Sequence, residues 1–388
     1  MGYSNTVSQY ERTSCIYLNR APGHAWDQNR PTGLTEAVFT EPRIWAGGSR
    51  FVGLSFILSG LNGSPENLAE TLRRLLALAE KTETPTLIAL DTQNWWDARP
   101  DLWNWFDKRA PGFSYSNAEN VEWTGPEPRD AVSICWRNWG RQIRVLPAPN
   151  LAAPRFRKAS QEALRPLLKI LYAAVKRRPD LFPGVKVGWE TSVGINAFHY
   201  PNGNRLRLRP ESEDPTQGLD MAKDLYGGLV PLGWAARAAM GRPGSGPPTH
   251  ADHEAIANDY LRFLVALARE AGFTQRQIFT HSGGQFAPWE KHVSHKVACV
   301  PGATPGWSLY NTAPADAGDL PKAATGEWCA AEWLTFAQTT EGWQDALHKV
   351  LSFRTCRFVN IYNYEGIVNS TAAQSGLKAA LSAPDLRK

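Results

Sequence analysis

Two glutamates stand out as groups able to do chemistry together. Glu190 ends the apolar run Val185-Lys186-Val187-Gly188-Trp189, and Glu332 lies late in a second apolar run, Trp328 to Trp333. A pair of carboxylates across a cleft is what glycosidic bond cleavage requires: one protonates the leaving oxygen while the other attacks the anomeric carbon or activates water. Two other acids compete for the second role. Glu327 stands at the start of its run, so its side chain is expected at the opposite end, whereas Glu365, just beyond a late run, is the more serious competitor.

These groups need elements to hold them. Short apolar runs that read as buried strands are 51–58, 85–90, 131–136, 185–190, 277–280, 306–310, 328–333 and 358–362. Helical spacing separates many of them. Ser64 with Pro65 caps a helix whose Leu68, Leu72, Leu75, Leu76 and Ala79 share one face. A second helix is expected over 155–178, and a third over 252–271 with Ile256, Tyr260, Phe263, Leu264 and Leu267 inward. Eight strands, mostly with a helix between, predict a (β/α)8 TIM barrel with long loops after strands two and four. The rival, a doubly wound sheet, would show a Gly-rich phosphate turn after its first strand if it bound nucleotides, and none is present. Residues 1–50, rich in Gly, Pro, Asn and Arg, are expected to wrap the outside; 51–388 form the barrel, with an insertion at about 191–250.

In such a barrel the working groups sit at the carboxyl ends of the strands. Those ends supply Asp91, Arg137, Glu190, His281, Trp307, Tyr310, Glu332 and Glu365, a set rich in acids and poor in His.

Composition narrows the partner. The chain has 388 residues, 43% hydrophobic, enough for a substantial core, and its net charge of +5 comes from Lys and Arg spread along it without runs. A nucleic-acid platform is therefore not expected. Sixteen Trp are many for this length, and they gather in loop-like stretches such as Trp95-Trp96, Trp103 and Trp105, and Trp136 and Trp139. Flat indole faces suit the apolar faces of sugar rings, so a carbohydrate is the expected partner. Five cysteines without CxxC spacing argue against a zinc knuckle or a dense disulfide framework. No run reaches the length of a membrane span, and Met1 to Leu18 is too polar for a signal peptide's apolar region, which leaves a cytoplasmic chain or one with its leader removed. Oligomeric state is not legible.

The order of elements over 51–382, with Glu190 on strand four and Glu332 on strand seven, resembles the large clan of retaining glycoside hydrolases. In that clan the acid/base and the nucleophile are glutamates at those two strand ends. Trp189 stands before Glu190 where most of the clan has Asn, so an inverting relative stays an alternative, as does a non-catalytic carbohydrate-binding barrel. The resemblance implies that Glu190 is the acid/base, its pKa raised by Trp189, burial and its partner's charge, and that Glu332 is the nucleophile, kept ionised by neighbouring donors. His281 could bond a carboxylate or a sugar hydroxyl, and Tyr310 or Tyr364 could donate to the nucleophile. Asp91, Arg137, His199 and Asn363 are candidate hydroxyl readers, and Trp95, Trp96 and Trp307 candidate stacking platforms. The plainer reading of an acid at a strand end is a helix cap or an ion-pair partner.

Other chemistries fit worse. No H-x-H follows the first apolar run, which ends in Leu58-Ser59-Gly60, and His250-Ala251-Asp252-His253 opens a helix, where Asp is ordinarily a cap. His281-Ser282-Gly283-Gly284 is not the G-x-S-x-G elbow of serine hydrolases. No metal or organic cofactor is expected.

Overall fold

The computed structural model describes residues 15–19, 34–41, 52–133, 135–138, 142–193, 197–198, 232–242, 244, 246–283, 294–310 and 326–382. In chain order the strands are β1 (Cys15–Asn19), β2 (Val52–Ser59), β3 (Thr86–Asp91), β4 (Cys135–Asn138), β5 (Gln142–Val145), β6 (Val185–Thr191), β7 (Ala197–Phe198), β8 (Ile278–Ser282), β9 (Gly306–Tyr310), β10 (Trp328–Leu334) and β11 (Cys356–Ile361). Eight of them close into a parallel barrel in the order β1-β11-β10-β9-β8-β6-β3-β2, with β2 returning to β1. This is the (β/α)8 TIM barrel. Its strands read as near-continuous apolar runs because each is covered on both faces, by the lumen and by the helices.

Two strands differ from the sequence expectation. Cys15–Asn19, placed in the wrapping segment, is the first barrel strand, hydrogen-bonded between β11 and β2. The run at 131–136 is not a barrel strand: β3 pairs directly with β6, which leaves no place between them. Instead β4 lies in a separate three-stranded sheet, antiparallel to β5 and β7. The missed strand and the misplaced one offset each other, so β6 is still the fourth barrel strand in chain order and β10 the seventh. The long loops accordingly follow the third and fourth strands instead of the second and fourth. Most of the expected insertion lies outside the described residues; its described part includes a short helix, Trp234–Ala239.

The helices form where local chemistry prescribes. Pro65–Lys81 starts on Ser64, whose side chain accepts from the Asn67 N–H at 3.2 Å, and buries Leu68, Leu72, Leu75, Leu76 and Ala79. Pro154–Arg177 continues through Pro166 and packs against the Pro65–Lys81 helix. His250–Glu270 begins with a reciprocal cap between Thr249 and Asp252, and His253 Nε2 bonds the Leu232 carbonyl at 2.8 Å, so the His-rich run is spent on starting this helix. Thr340–Leu351 and Thr371–Ser382 close the barrel. Among the described residues no helix is long and apolar enough to cross a membrane.

Inside the barrel, Tyr17, Leu87, Phe279, Cys329, Ala331 and Phe358 form an apolar layer toward the amino ends of the strands. Above it, toward the carboxyl ends, the lumen turns polar.

Candidate active site

Two departures from regular strand geometry aim the two acids. On β10 the register against β9 slips between Ala330, opposite Trp307, and Glu332, opposite Ser308. Strict alternation would put Glu332 on the same face as Trp328 and Ala330, which pack in the core outside the lumen. The bulge turns it inward, as bulges beside working sites do. On β6 the register against β8 is irregular between Val187 and Thr191. There Gly188 has φ +79°, and a Cβ on it would lie 2.3 Å from Thr191 Oγ1. Glu190 itself has φ +49°, a left-handed conformation costing a non-glycine residue on the order of 1 kcal/mol.

Both side chains are buried, Glu190 at 4% exposure and Glu332 at 2%, and one hydroxyl joins them. Tyr310 Oη lies 3.2 Å from Glu190 Oε1 and also bonds Glu332 Oε1. Asn19 Nδ2 donates to the other Glu332 oxygen at 2.8 Å. Ser308 Oγ donates to Glu190 Oε1 at 3.0 Å and is itself 2.9 Å from His281 Nε2, so the proton on that ring nitrogen points at the serine oxygen. Proton counting then limits the states. Tyr310 has one hydroxyl proton for two carboxylate oxygens; given to Glu332, it leaves the phenol oxygen to accept from a protonated Glu190. Burial, followed by the charge of Glu332, pushes Glu190 up to about 7, in agreement with that count. Burial, with Glu190 and Glu332 beside it, also holds the Tyr310 phenol well above its ordinary range. His281 is held well below its ordinary value, by burial and then by Lys186, and is a neutral imidazole.

The remaining predicted residues divide. Asp91 ends β3, fully buried, accepting the Asn94 N–H at 2.8 Å; Asn94 in turn bonds the Trp189 carbonyl at 2.6 Å, linking the loop after β3 to β6. Trp95 is half-buried, with its ring 6.4 Å from that of Trp189. Trp96 and Trp307 are not platforms. Both are buried, and their indole N–H groups bond the carbonyls of Pro147 and His295. Bulk that suited a sugar face is used here for packing. Arg137 is not at a barrel strand end but on β4, opposite Ile143 and Ala197 of the outer sheet. Asn363 caps the helix Tyr364–Val368, its side-chain oxygen accepting the Gly366 N–H at 2.9 Å, and Glu365 sits half-buried in that helix's first turn. Tyr364 bonds Glu41, away from both catalytic candidates. Glu327 pairs with Arg276 and Arg357. His199 lies outside the described residues.

Three groups of the site were not singled out from sequence. Asn19 was hidden in a five-residue strand, Ser308 within Trp307-Ser308-Leu309, and Lys186 inside an otherwise apolar run. A polar residue interrupting a buried strand is the signal they share. Among the described residues no group of three or more His, Cys, Asp or Glu side chains is arranged to hold a metal ion.

No family model matches the sequence, and no curated protein matches it either. Solved structures do. The catalytic domain of β-amylase from Paenibacillus polymyxa superposes with a TM-score of 0.52 at 10% identity, over 96% of this chain and 99% of that one. An exo-β-1,4-mannosidase from an Opitutaceae bacterium, strain TAV5, gives 0.44 at 11% identity, over 95% of this chain and 58% of that one. A GH5_18 protein from Streptomyces cattleya in complex with Manβ1-4GlcNAc gives 0.39 at 12%, over 80% and 62%. The likeness to the first is one of fold: the chain shares with a glycoside hydrolase the closed eight-stranded parallel barrel.

Proposed function

We propose that this protein is a glycosidase cleaving a β-glycosidic bond in an oligo- or polysaccharide, with Glu190 as acid/base and Glu332 as nucleophile in a retaining mechanism. The observation that carries the reading is the Tyr310 hydroxyl in reach of both carboxylates. A single bridging hydroxyl keeps the near oxygens within two hydrogen-bond lengths, about 6 Å at most. That spacing suits direct attack at the anomeric carbon, for which about 5–5.5 Å is usual, better than the ~6.5–9.5 Å that accommodates an attacking water.

Each acid has the surroundings its role needs. Glu190, with a pKa near 7, carries a proton to give to the leaving oxygen and then takes one from water. Glu332 accepts donors on both oxygens, as suits a group that works as an anion. As Glu332 bonds the anomeric carbon, Tyr310 can turn its proton toward the ring oxygen or back toward Glu190. The Ser308–His281 pair fixes the Glu190 carboxyl from the other side. Trp95, half-buried at the mouth, is the remaining stacking candidate among the three tryptophans.

The test is hydrolysis of a panel of aryl β-glycosides and polysaccharides, following the first-formed anomer by proton NMR. Turnover with a β product first is expected. An α product first would replace the mechanism with inversion, and tight binding without turnover would replace the enzyme with a carbohydrate-binding protein.

A further inference from the structure

The bulge that aims Glu332 leaves a mark inside the barrel. The Ala331 carbonyl, freed from the ladder, accepts two buried side chains instead: Lys186 Nζ at 3.0 Å and Asn360 Nδ2 at 2.9 Å. Lys186 is fully buried on β6, at the level of Ala89 on β3 and Phe279 on β8, within the layer that is otherwise apolar. An ammonium there is costly unless it has opposite charge nearby. Facing it are Glu332 and the Cys329 thiol of β10, Glu190 of its own strand, Asp91 of β3 and the neutral His281 of β8.

We propose that Lys186 is a positioning residue for Glu332: its Nζ pins the bulge carbonyl next to the glutamate, and its charge is the counter-ion from below for the carboxylate pair. The proposal rests on the glycosidase reading for its kinetic consequence only; the electrostatic arrangement stands without it. Three acids and one ammonium share a lumen from which water is largely excluded, so the ammonium offsets part of the repulsion that two ionised carboxylates would meet. Burial lowers Lys186 to about 8, against the pull of Glu332, so its charge is present at neutral pH and falls away above that value.

The test compares Lys186→Met, which removes donor and charge at nearly constant volume, with Lys186→Arg, which keeps the charge. In the methionine variant kcat should fall and the acid limb of the pH–rate profile should move toward alkaline pH by about one unit or more, because loss of a nearby cation makes carboxylate ionisation harder. The arginine variant should keep the position of the limb. A fall in kcat with the limb unmoved in Lys186→Met would overturn the proposal, since a merely structural lysine would do only that. A second measurement needs neither substrate nor a Lys186 variant. Nitrogen NMR of the labelled lysine amine in Glu332→Gln should show Lys186 titrating at lower pH than in the parent protein, and an unchanged midpoint would overturn the proposal. A shifted midpoint in a protein that hydrolyses no glycoside would retain Lys186 as counter-ion and discard the glycosidase reading.

Discussion

On β1, Tyr17 and Asn19 stand two residues apart and serve different regions of the same lumen; Phe279 and His281 on β8 are likewise two apart, and Leu87 and Asp91 on β3 four apart. The lower residue of each pair packs. Phe358 meets Tyr17 and Phe279 edge-on, with ring centroids 5.6 and 4.9 Å away. The upper residue of each pair is a buried polar group, and Asn19 and His281 belong to the chain of hydrogen bonds around Glu190 and Glu332. One level of the barrel is stabilised by burying apolar rings; the next pays conformational strain at Glu190 and desolvation of two acids to hold the geometry we propose for catalysis. The difference teaches that the packing level and the polar level are separated by only about 7–13 Å along the strands, one or two pleats. Lys186, level with Phe279, carries a charge into the lower of the two.

That division can be broken by substitution. The largest effect belongs to the upper layer: Glu332→Ala should lower kcat on an activated aryl β-glycoside by on the order of 10^4-fold or more while leaving thermal stability intact or improved, as paired activity assays and melts would show. In the lower layer Phe358→Ala should do the reverse, costing about 3–5 kcal/mol in urea unfolding while the folded fraction keeps its pH–rate profile. A displaced profile there would mean the layers are not separable.

Glu190→Gln sharpens the comparison through pH. The folded-state value near 7 stands above the ordinary 4.5, so the folded protein holds a proton that the unfolded chain has lost. The contribution is fully present below about 4.5 and is lost as pH rises through about 7. Glu190→Gln removes this penalty and should be more stable than the parent at pH 8 by on the order of 3 kcal/mol, with little difference at pH 4. Equal stabilities at pH 8 would count against a protonated Glu190. The smallest effect is expected of Asn19→Ala, which removes one donor from Glu332 and should reduce kcat/KM by about 10- to 100-fold with a nearly unchanged melting temperature.

Much of this was legible in the sequence, for a physical reason. Parallel barrel strands are covered on both faces, so 52–58, 86–90 and 185–189 appear as predominantly apolar runs, and the cap at Ser64-Pro65 announces its helix directly. β1 was not legible because five residues in a Gly- and Pro-rich surround carry too little pattern to distinguish a barrel strand from a wrapping segment. The run at 131–136 failed in the opposite way, since strand propensity does not say which sheet a strand joins. Glu190 and Glu332 were legible as strand-end acids, yet what orients them is not: a positive φ and a one-residue bulge leave no periodic trace. Trp96 and Trp307 exemplify the same limit, because a tryptophan that stacks on a ligand and one that fills a core are the same letter. Lys186 is the converse case, a charge in an apolar run whose partner, the carbonyl of Ala331, exists only once β10 has bulged.

The most direct measurement is chemical rescue of Glu332→Ala. With an activated aryl β-glycoside and azide, the expected result is restored turnover and an α-glycosyl azide, azide having entered the space on the face where Glu332 attacks. Failure of azide to restore turnover together with full activity in its absence would contradict a nucleophilic Glu332, and with it the two-glutamate reading of this barrel.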